Sequence, residues 1–167
     1  MKVFTLLIFL FFNLYVHSQS RPSVPGRNAV SFEIGKNGLV FNLSLDHKVQ
    51  NNNFGFKANI GSNLGVNTIS IIPGGEVYYL FGKDRKFLEL GLDMYYYYVD
   101  SPQDDVVGLP LFFPNSDSNT LYPSLNIGYR KYKRKGIFRC GLSPGYIKPY
   151  FIPGAYVSWG FSFGKEM

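Results

Sequence analysis

Residues 120–164 read TLYPSLNIGYRKYKRKGIFRCGLSPGYIKPYFIPGAYVSWGFSFG, and the alternation within them decides the fold. In the first run Leu121, Pro123, Leu125, Ile127 and Tyr129 share one face, while Tyr122, Ser124, Asn126, Gly128 and Arg130 share the other. The second run sets Phe138, Cys140 and Leu142 against Arg139, Gly141 and Ser143. The third sets Ala155, Val157, Trp159, Phe161 and Phe163 against Tyr156, Ser158, Gly160 and Ser162. Successive side chains on a strand point to opposite faces, so each run has one apolar and one polar face. A small apolar core would pay heavily to bury Arg130 and Arg139 beside Ser, Asn and Gly. The conflict disappears when the apolar face looks at lipid and the polar face lines a closed barrel. The expected fold class is therefore all-β: an eight-stranded antiparallel up-and-down transmembrane β-barrel.

Upstream the same rhythm recurs. Strands are expected at Ala29–Gly35, Leu39–His47, Phe54–Gly61, Ile71–Phe81 and Lys86–Tyr98. Leu39, Phe41, Leu43 and Leu45 fall on the apolar phase, as do Leu88, Leu90, Leu92 and Met94. Glu33, Asp46, Lys57, Glu76, Glu89 and Asp93 fall on the phase of Arg130 and Arg139. Lys36-Asn37-Gly38 is a hairpin signal, and Pro73 marks a strand start or a bulge. Strands of about 7–13 residues cross a bilayer when tilted, and eight of them enclose an interior that side chains fill.

Loop lengths set an orientation. With the chain entering from the periplasmic side, the far connections are 36–38, 62–70, 99–119 and 147–151, and the near ones are 48–53, 82–85 and 132–136. The longest fall on the far side, where such barrels carry their external loops. Tyr95 to Tyr98 are then expected at the outer boundary, and Tyr79, Phe81, Tyr129, Phe161 and Phe163 at the inner one, as two aromatic belts. Aromatic residues make up 18% of the chain, with 13 Tyr and 16 Phe, which suits a lipid–water boundary better than a soluble domain.

The N-terminus reads as a signal peptide over residues 1–18. Lys2 precedes the apolar run Val3 to Val16, and cleavage is expected after Ser18. That run is short for a membrane-spanning helix. A polar lead-in at 19–28, a barrel at 29–164 and a short tail at 165–167 complete the organisation. Removing Lys2 takes the net charge of the 167-residue chain from +6 to +5. Cys140 is the single cysteine, so an intrachain disulfide is excluded.

Three short segments carry a resemblance. They are Gly82-Lys83 with Phe87-Leu88-Glu89-Leu90-Gly91, Asn126-Ile127-Gly128-Tyr129-Arg130, and Phe138-Arg139-Cys140-Gly141-Leu142-Ser143-Pro144. Phe151-Ile152-Pro153 and the Gly160-Phe161-Ser162-Phe163 ending accompany them. With these the chain resembles the small eight-stranded outer-membrane barrels of the OmpA/OmpX type, and in detail a group of uncharacterised exported barrel proteins. The resemblance implies export, insertion by the barrel-insertion machinery, and residence in the outer membrane of a Gram-negative bacterium. Such chains end on an aromatic residue that the insertion machinery reads; here Gly164-Lys165-Glu166-Met167 follow Phe163.

Few residues invite chemistry. Some lipid-modifying barrel enzymes combine a His with a Ser and a carboxylate, and Ser44, Asp46 and His47 are close in sequence. Alternation places Asp46 and His47 on opposite faces, so a triad would need a bulge. Nothing near Cys140 on its own face would activate the thiol. The chain lacks a phosphate-cradling glycine loop and metal-spaced Cys/His sets, so no cofactor or metal is expected. The inner-phase charges are expected to form an ion network in the lumen: Arg130 and Arg139 pairing with Glu76, Glu89 and Asp93. The basic turns, Lys83-Arg85-Lys86 and Lys131-Lys133-Arg134-Lys135, are expected to meet phospholipid headgroups rather than nucleic acid. Loop 99–119 carries Asp100, Asp104, Asp105 and Asp117 around an apolar centre, Leu109 to Phe113, and is the candidate site for an external ligand.

The expectation is an outer-membrane barrel without catalytic activity of its own, with outer-membrane lipids as partners and a structural, adhesion or surface-interaction role carried by its external loops. Two alternatives stand beside it. A soluble lipocalin-like ligand-binding barrel would turn Leu90, Leu125 and Val157 inward. A lipid-modifying barrel enzyme would bring His47 to a Ser and a carboxylate.

Overall fold

The structure is a computed structural model that describes residues 28–36, 39–49, 52–62, 71–97, 120–133, 135–147 and 150–163. The expected signal peptide, most of the lead-in, loops 62–70 and 99–119, Tyr98 and the tail lie wholly or largely outside the described residues.

Eight strands make the wall: β1 (Asn28–Ile34), β2 (Phe41–Lys48), β3 (Phe54–Ser62), β4 (Ile72–Lys83), β5 (Lys86–Tyr97), β6 (Thr120–Tyr132), β7 (Gly136–Leu142) and β10 (Ala155–Phe163). Each pairs antiparallel with its neighbour, β5 with β6 and β10 with β1 included, so the sheet closes on itself. Between β7 and β10, β8 (Gly145–Ile147) and β9 (Tyr150–Ile152) form a short hairpin. The ladder is interrupted at Ser143-Pro144 and at Pro153-Gly154, where proline cannot donate to it. The breaks stay stitched together: the Ser143 N–H donates to Gly154 O at 2.7 Å and the Leu125 N–H to Pro144 O at 2.9 Å.

The stagger of the wall follows from the pairing. From Lys83 the facing residues run Lys86, Lys131, Phe138, Trp159, Phe32, Leu43, Ile60 and Pro73. One circuit of eight strands returns to β4 ten residues from its start, at Pro73. Such a shear tilts the strands and leaves a bore that side chains occupy.

Which phase faces inward is unambiguous. Among the described residues, nineteen polar or charged side chains are buried against eleven hydrophobic ones. The exposed residues include Leu43 (54%), Phe56 (52%), Ile60 (58%), Leu125 (54%) and Leu142 (58%). Leu90 and Val157 are half-buried on the same outer face as Leu125, contrary to what the lipocalin-like alternative requires.

Two residues depart from the expected phase. Leu39 is buried: it precedes β2, which begins only at Phe41, and its side chain lies over Gly61, where a Cβ would meet it. The turn before β2 is closed by Gly35, whose φ of 83° suits glycine, with its N–H donating to Leu39 O at 3.1 Å. Tyr95, expected in the outer belt, lies inside, stacked on Tyr122 at 5.6 Å between centroids. The ring crosses its facing residue Gly74, where a Cβ would stand 2.5 Å from a ring carbon. Tyr96, on the opposite phase, is exposed. At the near end Ala29, Leu80, Phe87, Tyr132 and Ile137 pack into an apolar plug, with Phe87 edge-on to Tyr132 at 5.9 Å.

Candidate functional site: a filled lumen

The bore above the plug is occupied by charge. Arg130 and Arg139 face each other across β6 and β7. Gly128 and Ser158, their small neighbours on the inner face, leave room for long side chains to lie across. Glu89 sits between the two guanidinium groups. It accepts from Arg130 Nε, from Arg139 Nε at 3.1 Å and Nη2 at 2.6 Å, from Lys57 Nζ at 3.2 Å and from Asn126 Nδ2 at 2.7 Å. Its carboxylate is the node of the network.

Around that node each cation has a second carboxylate. Arg130 Nη2 lies 2.9 Å from Asp46 Oδ2, and its Nη1 donates to Tyr132 Oη at 2.9 Å. Arg139 Nη1 pairs with Glu33, which β10 brings within reach because Arg139 faces Ser158 and Ser158 faces Glu33. Lys57 pairs with Glu76, directly opposite on β4. Lys36 descends from its turn to Glu76 and to Asp93 at 3.1 Å. Aromatic faces line the cations: Arg130 lies 4.1 Å from the Tyr78 centroid and Arg139 5.3 Å from that of Tyr156. The Tyr78 hydroxyl donates to Asp46 at 2.5 Å.

The five residues singled out from sequence therefore all lie in the lumen, fully or nearly fully buried. Glu76 and Glu89 meet arginine, Glu76 more distantly at 3.9 Å from Arg139. Asp93 does not; it pairs with Lys36. Glu33, Lys36, Asp46, Lys57 and Asn126 complete the network. Four of these lie on the inner phase of a strand and were visible as such. Lys36 is in a turn, where alternation says nothing. In the network five carboxylates (Glu33, Asp46, Glu76, Glu89, Asp93) meet four cations (Lys36, Lys57, Arg130, Arg139). Buried Lys48 stands apart, donating to Asn52 O at 2.5 Å.

His47 is on the other side of the wall. Its Nδ1 lies 2.7 Å from Asn28 Oδ1 and its ring 4.9 Å from that of Phe56, while Ser44 and Asp46 point into the bore. The structure does not bring the three together. Cys140 is half-buried on the outer face, between its facing residues Tyr129 and Val157. Among the described residues no group of three or more His, Cys, Asp or Glu is placed to hold a metal ion.

The chain is similar in structure to the N-terminal β-barrel domain of Pseudomonas aeruginosa OprF. The TM-score is 0.52 with 17% identity, covering 83% of this chain and 99% of that one. At that identity the likeness bears on the fold, and it agrees with the closed barrel of the small OmpA type. No family model and no curated protein matches the sequence.

Proposed function

We propose that the chain is an integral outer-membrane barrel with a closed, filled lumen, which serves as a rigid membrane anchor for surface interactions made by its far-side loops. The observation that carries this reading is the inverted distribution of side chains. Arginine, lysine and carboxylate fill the interior, and Leu, Ile, Phe and Val cover the outside. In water so large a continuous apolar surface would drive association. In lipid it is the required exterior, and closure leaves no strand edge unpaired in the wall. The likeness to the OprF barrel domain supports the same reading. Outer-membrane lipids and the barrel-insertion machinery are the partners it implies, and loop 99–119 the candidate for an external ligand. The filled lumen and the separation of His47 from Ser44 and Asp46 favour a role without catalysis.

The test is fractionation of cells expressing the full chain. The protein is expected in the outer-membrane fraction, resistant to carbonate extraction, with a folded band that migrates differently on unboiled gels. A carbonate-soluble protein without that heat-dependent shift would refute the proposal.

A further inference from the structure

The near rim carries a second feature that the lumen does not explain. Lys83, Lys86 and Lys131 face one another in a single register row across β4, β5 and β6, all on the outer face. Like charges directly opposite on neighbouring strands repel. Among the described residues no carboxylate lies within 4.0 Å of any of the three; the ion pairs are all in the lumen. Lys133 and Lys135 add to the patch from the next turn, and Arg85 from the turn between β4 and β5, against one acid, Asp84.

The patch is held in shape by backbone. The Tyr132 N–H donates to Arg85 O at 2.8 Å, locking the two turns side by side, and the Ser162 N–H donates to Lys135 O at 3.1 Å. Its depth is set by the row above it. Two residues further into the wall on the same strands and face are Phe81, Leu88 and Tyr129, which also face one another. That step is about 7 Å along a strand. A cationic row directly beneath an apolar and aromatic row matches a phosphate beneath its acyl chains. By contrast the turn sequence between β2 and β3 carries Val49, Gln50 and three Asn, and its one charged neighbour, Lys48, is buried.

We propose that Lys83, Lys86 and Lys131, with Lys133 beside them, form a headgroup site for an anionic phospholipid of the near-side leaflet. This rests on the membrane-barrel reading above and adds a lipid preference to it. A shared phosphate also resolves the repulsion along the row, since one anion between neighbouring ammonium groups replaces two unfavourable contacts with favourable ones.

The single tryptophan provides the assay. Trp159 is exposed on the outer face in the same register row, two strands from Lys131 and about 10 Å along the row. Bromines on lipid acyl chains quench a tryptophan they touch. The mature chain, folded into vesicles of mixed phosphatidylglycerol and phosphatidylcholine, is titrated with one or the other lipid brominated. Quenching by brominated phosphatidylglycerol is expected at several-fold lower mole fraction than by brominated phosphatidylcholine. Each lysine removed should weaken the preference, by up to about fivefold at low ionic strength, and the triple variant K83Q/K86Q/K131Q should abolish it. The K83R/K86R/K131R variant should keep it, and raised salt should reduce it. Equal quenching by the two lipids, or a preference unchanged in the glutamine variant, overturns the site while leaving the barrel reading intact. Competition by millimolar inorganic phosphate without any lipid preference assigns the row to a soluble anion and also overturns it. A chain that never enters either vesicle overturns both readings.

Discussion

Replacing Arg139 by alanine is the sharpest perturbation of the lumen. The guanidinium is completely buried and bridges two carboxylates, Glu33 and Glu89. After the substitution Glu89 still has Arg130 and Lys57. Glu33 keeps only Lys36, at 4.0 Å, and the Ser44 hydroxyl at 3.4 Å. The loss is therefore concentrated on one buried carboxylate without a close cation, in a network where carboxylates already outnumber cations. Breaking a buried pair from one side costs about 3–5 kcal/mol. Neutralising the stranded group in the same chain, Arg139→Ala with Glu33→Gln, should recover a coupling of about 1–3 kcal/mol. Asp93→Asn removes the surplus negative charge from a carboxylate whose Oδ2 has no hydrogen-bond partner, and should change stability by less than about 1 kcal/mol. The assay is urea unfolding of the folded barrel in detergent, followed by Trp159 emission and by the folded band on unboiled gels. If Arg139→Ala costs less than about 1 kcal/mol, as an exposed pair would, or Glu33→Gln recovers nothing, the network does not hold the barrel as described.

Three further outcomes follow from the same geometry. Gly55→Val should destabilise the barrel by about 1–3 kcal/mol or more, because the Tyr78 ring and hydroxyl occupy the space a Cβ would take; the same urea transitions measure it. Proteoliposomes carrying the wild-type chain should swell in arabinose no faster than protein-free vesicles, since Glu89, the arginines and the near-end plug occupy the bore. His47→Ala should leave the acylation pattern of lipid A unchanged in expressing cells, by mass spectrometry, and should leave the folded band in place.

Much of this architecture was readable as alternation. The opposite phases of Leu125 and Asn126, of Phe138 and Arg139, and of Trp159 and Ser158 follow from the period of a strand, and the structure keeps them. What escaped was whatever depends on closure or on a turn. Glu33 is 106 residues from Arg139 in sequence, and they meet because the first strand pairs with the last. Assigning the partners of Arg139 to β4 and β5 alone left out the carboxylate that closure brings from β1. Lys36 escaped because it follows Gly35, whose φ of 83° ends the strand's alternation, and a turn has no alternation to read. Tyr95 looked like a belt residue because four tyrosines stand in a row; its parity already placed it with Asp93, and Gly74 made room for its ring. The breaks between β7 and β8 and between β9 and β10 had a signal in Pro144 and Pro153, which cannot donate to a ladder.

The joining of β1 to β10 bears on how such a chain can assemble. A lone hairpin of β6 and β7 would carry Arg130 and Arg139 side by side, with Glu89 on one flanking strand and Glu33 at the other end of the chain. β3 and β4 match Lys57 with Glu76, and β5, β6 and β7 together hold the two arginines with Glu89 and Asp93, but the β6–β7 hairpin alone carries no carboxylate and the second partner of Arg139, Glu33, is on β1. That hairpin alone in a bilayer would present bare guanidinium groups to hydrocarbon, until β5 brings Glu89 to both of them. The remaining carboxylate of Arg139, Glu33, arrives only when β1 meets β10, so completing that pair and closing the barrel are one event.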